Sequence, residues 1–194
     1  MNNRLEKQIS FILELDKMKN LYRQTYVLYE ERKENDAEHS WHIAIMAILL
    51  SEYANSDIDA AKVIKMLLLH DIIEIDAGDT YCYDVVGNST KAEREEKAAR
   101  RIFGLLPDDQ YREFYDLWRE FEDSLTKEAR FAAVLDRLQP LLLNYTKGGI
   151  SWLEHGIHKE QVFKRNVDYF SESDELAELI KSVIDDAEKK GWLK

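Results

Sequence analysis

The residues of this sequence best suited to chemistry lie at the end of an apolar stretch. His70 and Asp71 directly follow three leucines, Leu67–Leu69. Glu74 comes one helical turn after His70, and Gly78-Asp79 lies just beyond. Burying a carboxylate or an imidazole without a partner is energetically costly. The cluster therefore requires a compensating charge, and a divalent cation is the simplest source of one.

A metal ion would need ligands besides His70 and Asp71, because two side chains are too few to hold one. Asp136 is a candidate because it interrupts the apolar segment 131–138. The alternative is an ion pair with Arg137 or another arginine. Adjacent residues on a helix point in different directions, which makes the pair with Arg137 the weaker interpretation.

A second imidazole could come from the start of another apolar segment. His39 and His42 lie one turn apart there, and their spacing does not choose between them. Two imidazoles and two carboxylates would form a mixed nitrogen and oxygen ligand set. Such a set suits Mn, Fe, Co, Ni or Zn, and also Mg where water fills the remaining positions.

Two further acidic residues could take part in proton transfer. Glu74 would share a helix face with His70, where it could orient that imidazole or act as general acid or base on a water activated by the ion. Asp79 follows a glycine, so a turn could direct its carboxylate toward the site. A carboxylate that caps a turn is an equally good interpretation of Asp79.

The composition indicates a single helical domain of the cytoplasm. The 194 residues include only 7 Gly and 2 Pro, which favours helices joined by short loops. The longest apolar run, Ile43–Leu50, is too short to span a bilayer, and residues 1–7 lack the h-region expected of a signal peptide. Because Cys82 is the only cysteine, no intrachain disulfide can form. The net charge of −11 disfavours a nucleic-acid partner but leaves a small phosphate ester possible.

Helical periodicity predicts an all-α fold with seven or eight helices that would carry these residues. Residues 21–36 have no clean period and suggest an irregular connection, with Asn35 or Asp36 as the N-cap of the next helix. Residues 76–88 suggest a loop, and Pro140 should kink or break the helix that contains it. The predicted helices cover about 3–20, 37–54, 57–75, 91–103 with a capping box at Thr90–Glu93, 107–121 with Pro107 in its first turn, 126–145, 158–170 and 173–190.

The same residues resemble the H…HD…D pattern of the HD-domain metal-dependent phosphohydrolases. The match consists of Glu38-His39, His70-Asp71, Glu74, Gly78-Asp79 and Asp136. Within this superfamily the chain is similar to the branch of bacterial 5′-deoxynucleotidases and the eukaryotic HD-domain-containing protein 2. The likeness covers most of the chain and includes segments 93–96, 105–107 and 117–120, which resemble the second protein.

The resemblance implies one HD domain over residues 1–194, and it assigns a role to each candidate. One divalent metal ion is implied, and His42 has no ligand role. The implied metal ligands are His39, His70, Asp71 and Asp136, and the implied catalytic acidic residues are Glu74 and Asp79.

A phosphate-binding arginine is also implied upstream of the first histidine, and Arg23 matches it with a one-residue gap. The bacterial enzymes have an aromatic residue after that arginine, near the sugar. Here the position is Gln24, which weakens the expected preference for deoxyribose unless Tyr22 or Tyr26 compensates.

The hypothesis from the sequence is hydrolysis of nucleoside 5′-monophosphates, most of all deoxynucleotides. One alternative keeps the family but changes the substrate to nucleoside triphosphates, guanosine polyphosphates or cyclic nucleotides. Another is a non-catalytic, metal-binding regulatory module, which would not need Glu74 and Asp79. A homodimer is expected by analogy, with Trp152 and Trp192 as possible interface residues, and neither a membrane nor a nucleic acid is expected as a partner.

Overall fold

The computed structural model describes residues 3–84, 87 and 89–194, and these form the predicted all-α fold. Short 3-10 helices cover Leu15–Asn20, Ser51–Tyr53, His70–Ile73 and Phe170–Glu172. The α-helices described are α1 (Asn3–Glu14), α2 (Asp36–Leu50), α3 (Ala60–Leu69), α4 (Glu74–Ala77), α5 (Lys91–Phe103), α6 (Asp108–Asp123), α7 (Lys127–Thr146), α8 (Ile150–His155), α9 (Lys159–Val167) and α10 (Asp174–Lys189).

The segment predicted as an irregular connection contains a small antiparallel hairpin. Strand β1 (Tyr22–Tyr26) pairs with β2 (Lys33–Asn35), and the register shifts between the two ends of the pairing. The irregular register and the short second strand obscure the alternation that would reveal strands in the sequence. The hairpin matters because it carries Arg23 on β1 and delivers the chain to the start of α2.

Helix α2 begins with a complete capping box, and Asn35 is its N-cap. The Asn35 side chain accepts from the Glu38 N–H at 3.0 Å, and the Glu38 side chain accepts from the Asn35 N–H at 3.1 Å. These two bonds fix the first turn of the helix. His39 lies in that turn and is fully buried.

The helix predicted over residues 57–75 is interrupted where its chemistry begins. Helix α3 ends at Leu69, a 3-10 turn covers His70–Ile73, and α4 covers only Glu74–Ala77. Gly78 then ends α4 with φ +75° and ψ 146°, a conformation that favours glycine. The apolar periodicity continues through His70–Ile73, so the sequence does not reveal the change from α-helix to 3-10 helix. Of the predicted loop 76–88, residues 85, 86 and 88 lie outside the described residues.

Two local predictions about helix starts were wrong. Thr90 makes no capping bond to the backbone, and its hydroxyl accepts from Arg94 Nε at 3.3 Å instead. Pro107 is the N-cap residue of α6 and lies just before its first turn. Of the two outcomes predicted at Pro140, a kink or a local break, the break does not occur, because α7 continues through the proline with buried side chains on both sides holding it in the core.

Two apolar clusters meet at the segment that contains His70. One includes Leu67 of α3 and Leu135 of α7, and the other includes Ile72 and Ile73 of the 3-10 turn. His70 and Asp71 thus lie where the two clusters join. Among the described residues, no helix has both the length and the apolar character needed to cross a membrane.

The tryptophans suggested for a dimer interface are not the exposed apolar residues of this fold. Trp152 is buried, and Trp192 lies against Gly149, where an added Cβ would be 2.5 Å from the Trp192 Cβ. Aromatic residues near chain ends resemble interface residues in a sequence, but here they close the core. One face of α2 is exposed instead, with apolar side chains at Trp41, Ile45, Ile48 and Leu49.

Candidate metal centre

Two histidines and two aspartates from three parts of the chain meet in a buried cluster. Asp136 Oδ1 lies 3.2 Å from His39 Nε2 and 3.6 Å from His70 Nε2. Asp71 Oδ1 lies 3.1 Å from His70 Nε2, and Asp71 Oδ2 lies 3.8 Å from His39 Nε2. The cluster therefore brings together all four predicted ligands, with both Nε2 atoms facing carboxylate oxygens.

The other ring nitrogen of each histidine is held by an acceptor. His70 Nδ1 donates to the Leu67 carbonyl at 2.9 Å, and His39 Nδ1 donates to Gln139 Oε1 at 3.1 Å. Gln139 is held in turn, because its Nε2 donates to Glu34 Oε1 at 2.6 Å. A neutral histidine that donates through Nδ1 presents a lone pair at Nε2. Both imidazoles are thus oriented as ligands toward the two aspartates.

This arrangement of acceptors fits a cation. In these tautomers the His39 Nε2 lone pair and Asp136 Oδ1 are both acceptors, and His70 Nε2 has no hydrogen-bond partner. Burial, with a further effect of Arg23, lowers the pKa of His39 to about 4, which keeps its imidazole neutral. A buried group of acceptors that face one another needs a proton or a metal ion between them.

The charged forms of the cluster residues depend on one another. Burial lowers the pKa of His70, but Asp71 and Asp136 more than offset this and raise it well above its ordinary value. Burial raises the pKa of Asp136, yet His39 and His70 hold it well below its usual range. The carboxylates thus attract a positive charge strongly, and either a proton on His70 or a cation can supply it.

A second acidic group adjoins the first and includes a residue that sequence reasoning missed as a site residue. Oxygen atoms of Asp36, Asp71 and Glu74 lie within 4.8 Å of one another. Asp36 is fully buried, and neither of its carboxylate oxygens has a hydrogen-bond partner. The sequence suggested only a helix cap at Asp36, a role that Asn35 fills. Its signal was a carboxylate three residues before His39.

Arg23 of β1 counters the charge of this acidic group. Its Nη1 lies 2.7 Å from Asp71 Oδ2 and 3.6 Å from Asp36 Oδ1. Burial raises the pKa of Glu74, and repulsion from Asp71 and Asp36 raises it further. Glu74 does not orient His70, because the Leu67 carbonyl holds that ring.

A cavity of about 230 Å³ opens beside these residues, and Asp79 lies in its wall. Burial raises the pKa of Asp79, while Arg23 opposes the shift. Gln24 also lines the cavity, whereas Tyr22 and Tyr26 are not among its lining residues, so neither replaces the missing aromatic neighbour of Arg23.

Other lining residues escaped the sequence analysis. Tyr81 and Tyr83 follow Asp79 in the chain, Lys91 begins α5, and Arg165 comes from α9. The usable signal for Arg165 was its helix face, which it shares with buried Val162 one turn earlier. No comparable pattern marks the two tyrosines.

Two other residues considered in the sequence analysis, His42 and Arg137, do not join the cluster. His42 Nδ1 contacts Gln139 Nε2 at 3.2 Å and is not part of the cluster. Arg137 points away from its neighbour Asp136, since its guanidinium donates to the carbonyls of Ala133 and Arg165.

Comparisons with known proteins agree with this fold and cluster. The 5′-deoxynucleotidase HDDC2 of Bos taurus is 31% identical over 136 residues, covering 69% of this chain and 64% of that protein. The mouse protein of the same name is 34% identical over 113 residues, covering 58% and 55%. Each of these matches thus spans less than two thirds of the relative's length.

A solved structure is similar over nearly the whole chain. It is a predicted metal-dependent phosphohydrolase from Magnetospirillum magnetotacticum, 48% identical, with a TM-score of 0.94 and coverage of 98% of this chain and 96% of that one. A family model described as HD domain matches residues 15–177. This chain belongs to the HD-domain family.

Proposed function

We propose that this protein is a metal-dependent phosphohydrolase that removes phosphate from nucleoside 5′-monophosphates, above all deoxynucleotides. The observation that carries the proposal is that His70, Asp71 and Asp136 line one cavity together with Glu74, Asp79 and Arg23. Metal ligands, proton-transfer groups and a phosphate-binding cation are the parts that hydrolysis of a phosphate ester requires. The names of the relatives support the deoxynucleotide preference.

His39, His70, Asp71 and Asp136 would hold one divalent ion. Its mixed nitrogen and oxygen donors suit Mn, Co, Fe, Ni or Zn, and also Mg with added water. When bound, the ion supplies Lewis-acid stabilisation of the phosphoryl oxygens and lowers the pKa of a bound water.

The chain's own residues bind the substrate and move protons. Arg23 offsets negative charge on the phosphoryl group, as a guanidinium can donate two hydrogen bonds to one phosphate. Glu74 and Asp79 accept a proton from the attacking water and give one to the leaving 5′-oxygen. Burial raises the pKa of both carboxyl groups, a shift in the direction that favours the protonated form a general acid needs.

The charge of the cavity favours a monophosphate over a polyphosphate. Two of its cations already have close partners: Lys91 Nζ lies 3.3 Å from Glu95, and Arg23 lies 2.7 Å from Asp71. Triphosphates and guanosine polyphosphates carry several more negative charges than these side chains can offset. A regulatory module that only binds metal would not need Glu74 in a buried acidic group.

Phosphate release from a panel of nucleotides tests the proposal. The panel contains dAMP, dGMP, TMP, the ribonucleotides and the triphosphates, each with Mn²⁺, Co²⁺, Mg²⁺ or a chelator. We expect chelator-sensitive release from the deoxynucleoside monophosphates. Release from triphosphates alone would refute the substrate class, and no release despite tight metal binding would favour the regulatory module.

Variants separate metal binding from turnover. Asp71→Ala should lose both metal and activity, whereas Glu74→Ala should keep the metal and lose turnover. Glu93→Gln is the matched control, because Glu93 is an exposed acidic residue on α5. Full activity in both Asp71→Ala and Glu74→Ala would overturn the assignment of these residues.

A homodimer in the cytoplasm remains our proposal for the protein's assembly and location. The exposed apolar face of α2, which includes Trp41 and Ile48, supports self-association, since contiguous apolar patches often mark protein interfaces. Sedimentation analysis of the parent protein and of Ile48→Glu tests it, and a monomeric parent would refute the dimer.

A further inference from the structure

Two arginines border the candidate metal cluster, one beside each aspartate. Asp71 directs Oδ1 toward His70 and Oδ2 toward Arg23. Asp136 has the corresponding arrangement, with Oδ1 toward both histidines and Oδ2 toward Arg165, whose Nη2 lies 3.9 Å away. Arg165 therefore lies beside Asp136, whereas Arg23 lies beside Asp71.

The backbone that carries Arg165 is fixed to the helix of Asp136. Arg137 Nε donates to the Arg165 carbonyl at 3.1 Å, and Arg137 Nη1 donates to Ala133 O at 2.8 Å. The Arg137 guanidinium also lies 4.1 Å from the Tyr169 ring centroid. Arg137 is thus committed to joining α7 and α9, and it holds Arg165 at a set position along the cavity.

Arg165 is the arginine of the cavity whose guanidinium is least committed. Its contact with Asp136 is too long for a hydrogen bond, and within the described part of the chain no other side chain or carbonyl accepts from its guanidinium. Its side chain is 29% exposed, compared with 13% for Arg23, and it lines the cavity. A largely enclosed guanidinium with five donors and no close acceptor is suited to an anionic ligand.

We propose that Arg165 is a second substrate-binding arginine, which donates hydrogen bonds to the phosphate of the nucleotide. This inference rests on the proposed function, because it specifies which residue binds the substrate's phosphate at that site. Arg23 already donates a hydrogen bond to Asp71, whereas the Arg165 guanidinium has no close acceptor in the described ranges of the chain and can donate to the ligand. The phosphate then lies between the two arginines, next to the candidate metal ligands.

The position of Arg165 also indicates which class of substrate the cavity can bind. With Lys91 paired to Glu95 and Arg23 to Asp71, Arg165 supplies the cavity's one guanidinium without a close acceptor among the described residues. A single uncommitted guanidinium matches a single phosphate group. The protein should therefore bind inorganic phosphate, the reaction product, through the same arginine.

Calorimetric titration with inorganic phosphate tests the proposal on the full chain loaded with Mn²⁺. Phosphate cannot be hydrolysed, so the measurement does not depend on turnover. We expect Arg165→Gln to weaken phosphate binding by about 10- to 100-fold, the usual effect of losing a charged hydrogen bond. Arg165→Lys keeps the charge but loses the fork geometry, so it should fall between Arg165→Gln and the parent.

Lys164→Gln is the matched control. Lys164 is the exposed neighbour of Arg165 on α9, and its replacement removes the same charge. It should bind phosphate within about twofold of the parent. An equal loss in Lys164→Gln would show that long-range charge is responsible and would overturn the proposal. So would parent-like affinity in Arg165→Gln, or no phosphate binding by the parent.

Thermal unfolding of each variant verifies that the fold is retained, and Arg165→Lys preserves the test if Arg165→Gln is unstable. The two proposals fail separately. A parent that binds phosphate through Arg165 but releases none from any 5′-monophosphate would refute the proposed function alone. Hydrolysis of 5′-monophosphates with unchanged phosphate affinity in Arg165→Gln would refute the Arg165 site alone.

Discussion

Replacing Gln139 with methionine should weaken metal binding although Gln139 is not a candidate ligand. Gln139 is 1% exposed and links two buried groups. Its Oε1 accepts from His39 Nδ1 at 3.1 Å, and its Nε2 donates to Glu34 Oε1 at 2.6 Å. Methionine has nearly the same volume but can make neither bond. His39 then loses the acceptor that fixes its tautomer and its ring orientation.

The Gln139→Met variant loses two hydrogen bonds, and each loss lowers the free energy of unfolding. The bond to neutral His39 is worth about 1 kcal/mol, and the bond to the Glu34 carboxylate about 2 kcal/mol. The free energy of unfolding should therefore fall by about 3 kcal/mol at pH 8, where Glu34 is ionised. Loss of a residue that orients a metal-ligating histidine typically costs about 10- to 100-fold in metal affinity.

Two assays separate these effects. Urea unfolding in chelator measures stability, and calorimetric titration with Mn²⁺ measures affinity. The double variant Glu34→Gln/Gln139→Met should recover part of the stability, because it removes the unpaired buried charge. It should not recover the affinity, because His39 still lacks its acceptor.

Gln8→Met is the control for these measurements, since Gln8 makes a similar bond to Gln110 at 2.8 Å and belongs to no site. It should leave the Mn²⁺ affinity at the parent value. Parent-like Mn²⁺ affinity in a folded Gln139→Met protein would refute the reasoning.

Three further predictions concern the same region. Burial raises the pKa of Glu34 to about 7 from 4.5, so the folded state binds its proton more tightly, and the free energy of unfolding in chelator should fall by about 3 kcal/mol as pH rises from about 4.5 to about 7. Glu34→Gln should remove that slope in urea titrations. Gly78→Ala should cost about 1–3 kcal/mol from backbone strain alone, since an added Cβ meets no atom within 4 Å, and should lower kcat by displacing Asp79. Arg94→Lys should speed amide hydrogen exchange over residues 78–84, because Arg94 Nη2 donates to Thr80 Oγ1 at 2.9 Å; unchanged exchange would refute that role.

The sequence was informative wherever a polar residue interrupts a regular apolar pattern. His70, Asp71 and Asp136 could be found in this way, and the fold class followed from periodicity and the scarcity of glycine and proline. The choice of His39 over His42 came from the family resemblance. In the structure Gln139 contacts both imidazoles, and it is the contact with Asp136 that distinguishes His39. No local pattern encodes such a contact across about one hundred residues.

Other parts of the site arise only from tertiary packing. The interruption of the helix at His70 is hidden because apolar residues continue on both sides of it. Asp36 resembled a cap because aspartate is common at helix starts, yet Asn35 makes the capping bonds and Asp36 points into the acidic group. Arg165 lies in a segment that reads as a polar surface helix, and only the position of α9 against α7 brings it to Asp136.

The charges of the site explain why metal ligands, arginines and proton-transfer residues occur together. Four carboxylates lie together here, and two guanidinium groups, those of Arg23 and Arg165, face them. Four negative charges against two positive ones leave a deficit of two positive charges. Without a cation, protons must make up the deficit. Two pKa values are raised in keeping with this: that of Glu74 by burial and then by Asp71 and Asp36, and that of His70 by Asp71 and Asp136 against the effect of burial. A divalent ion would supply the same two charges. The carboxylates that create the deficit are the buried Asp36, Asp71 and Glu74 and the largely enclosed Asp136.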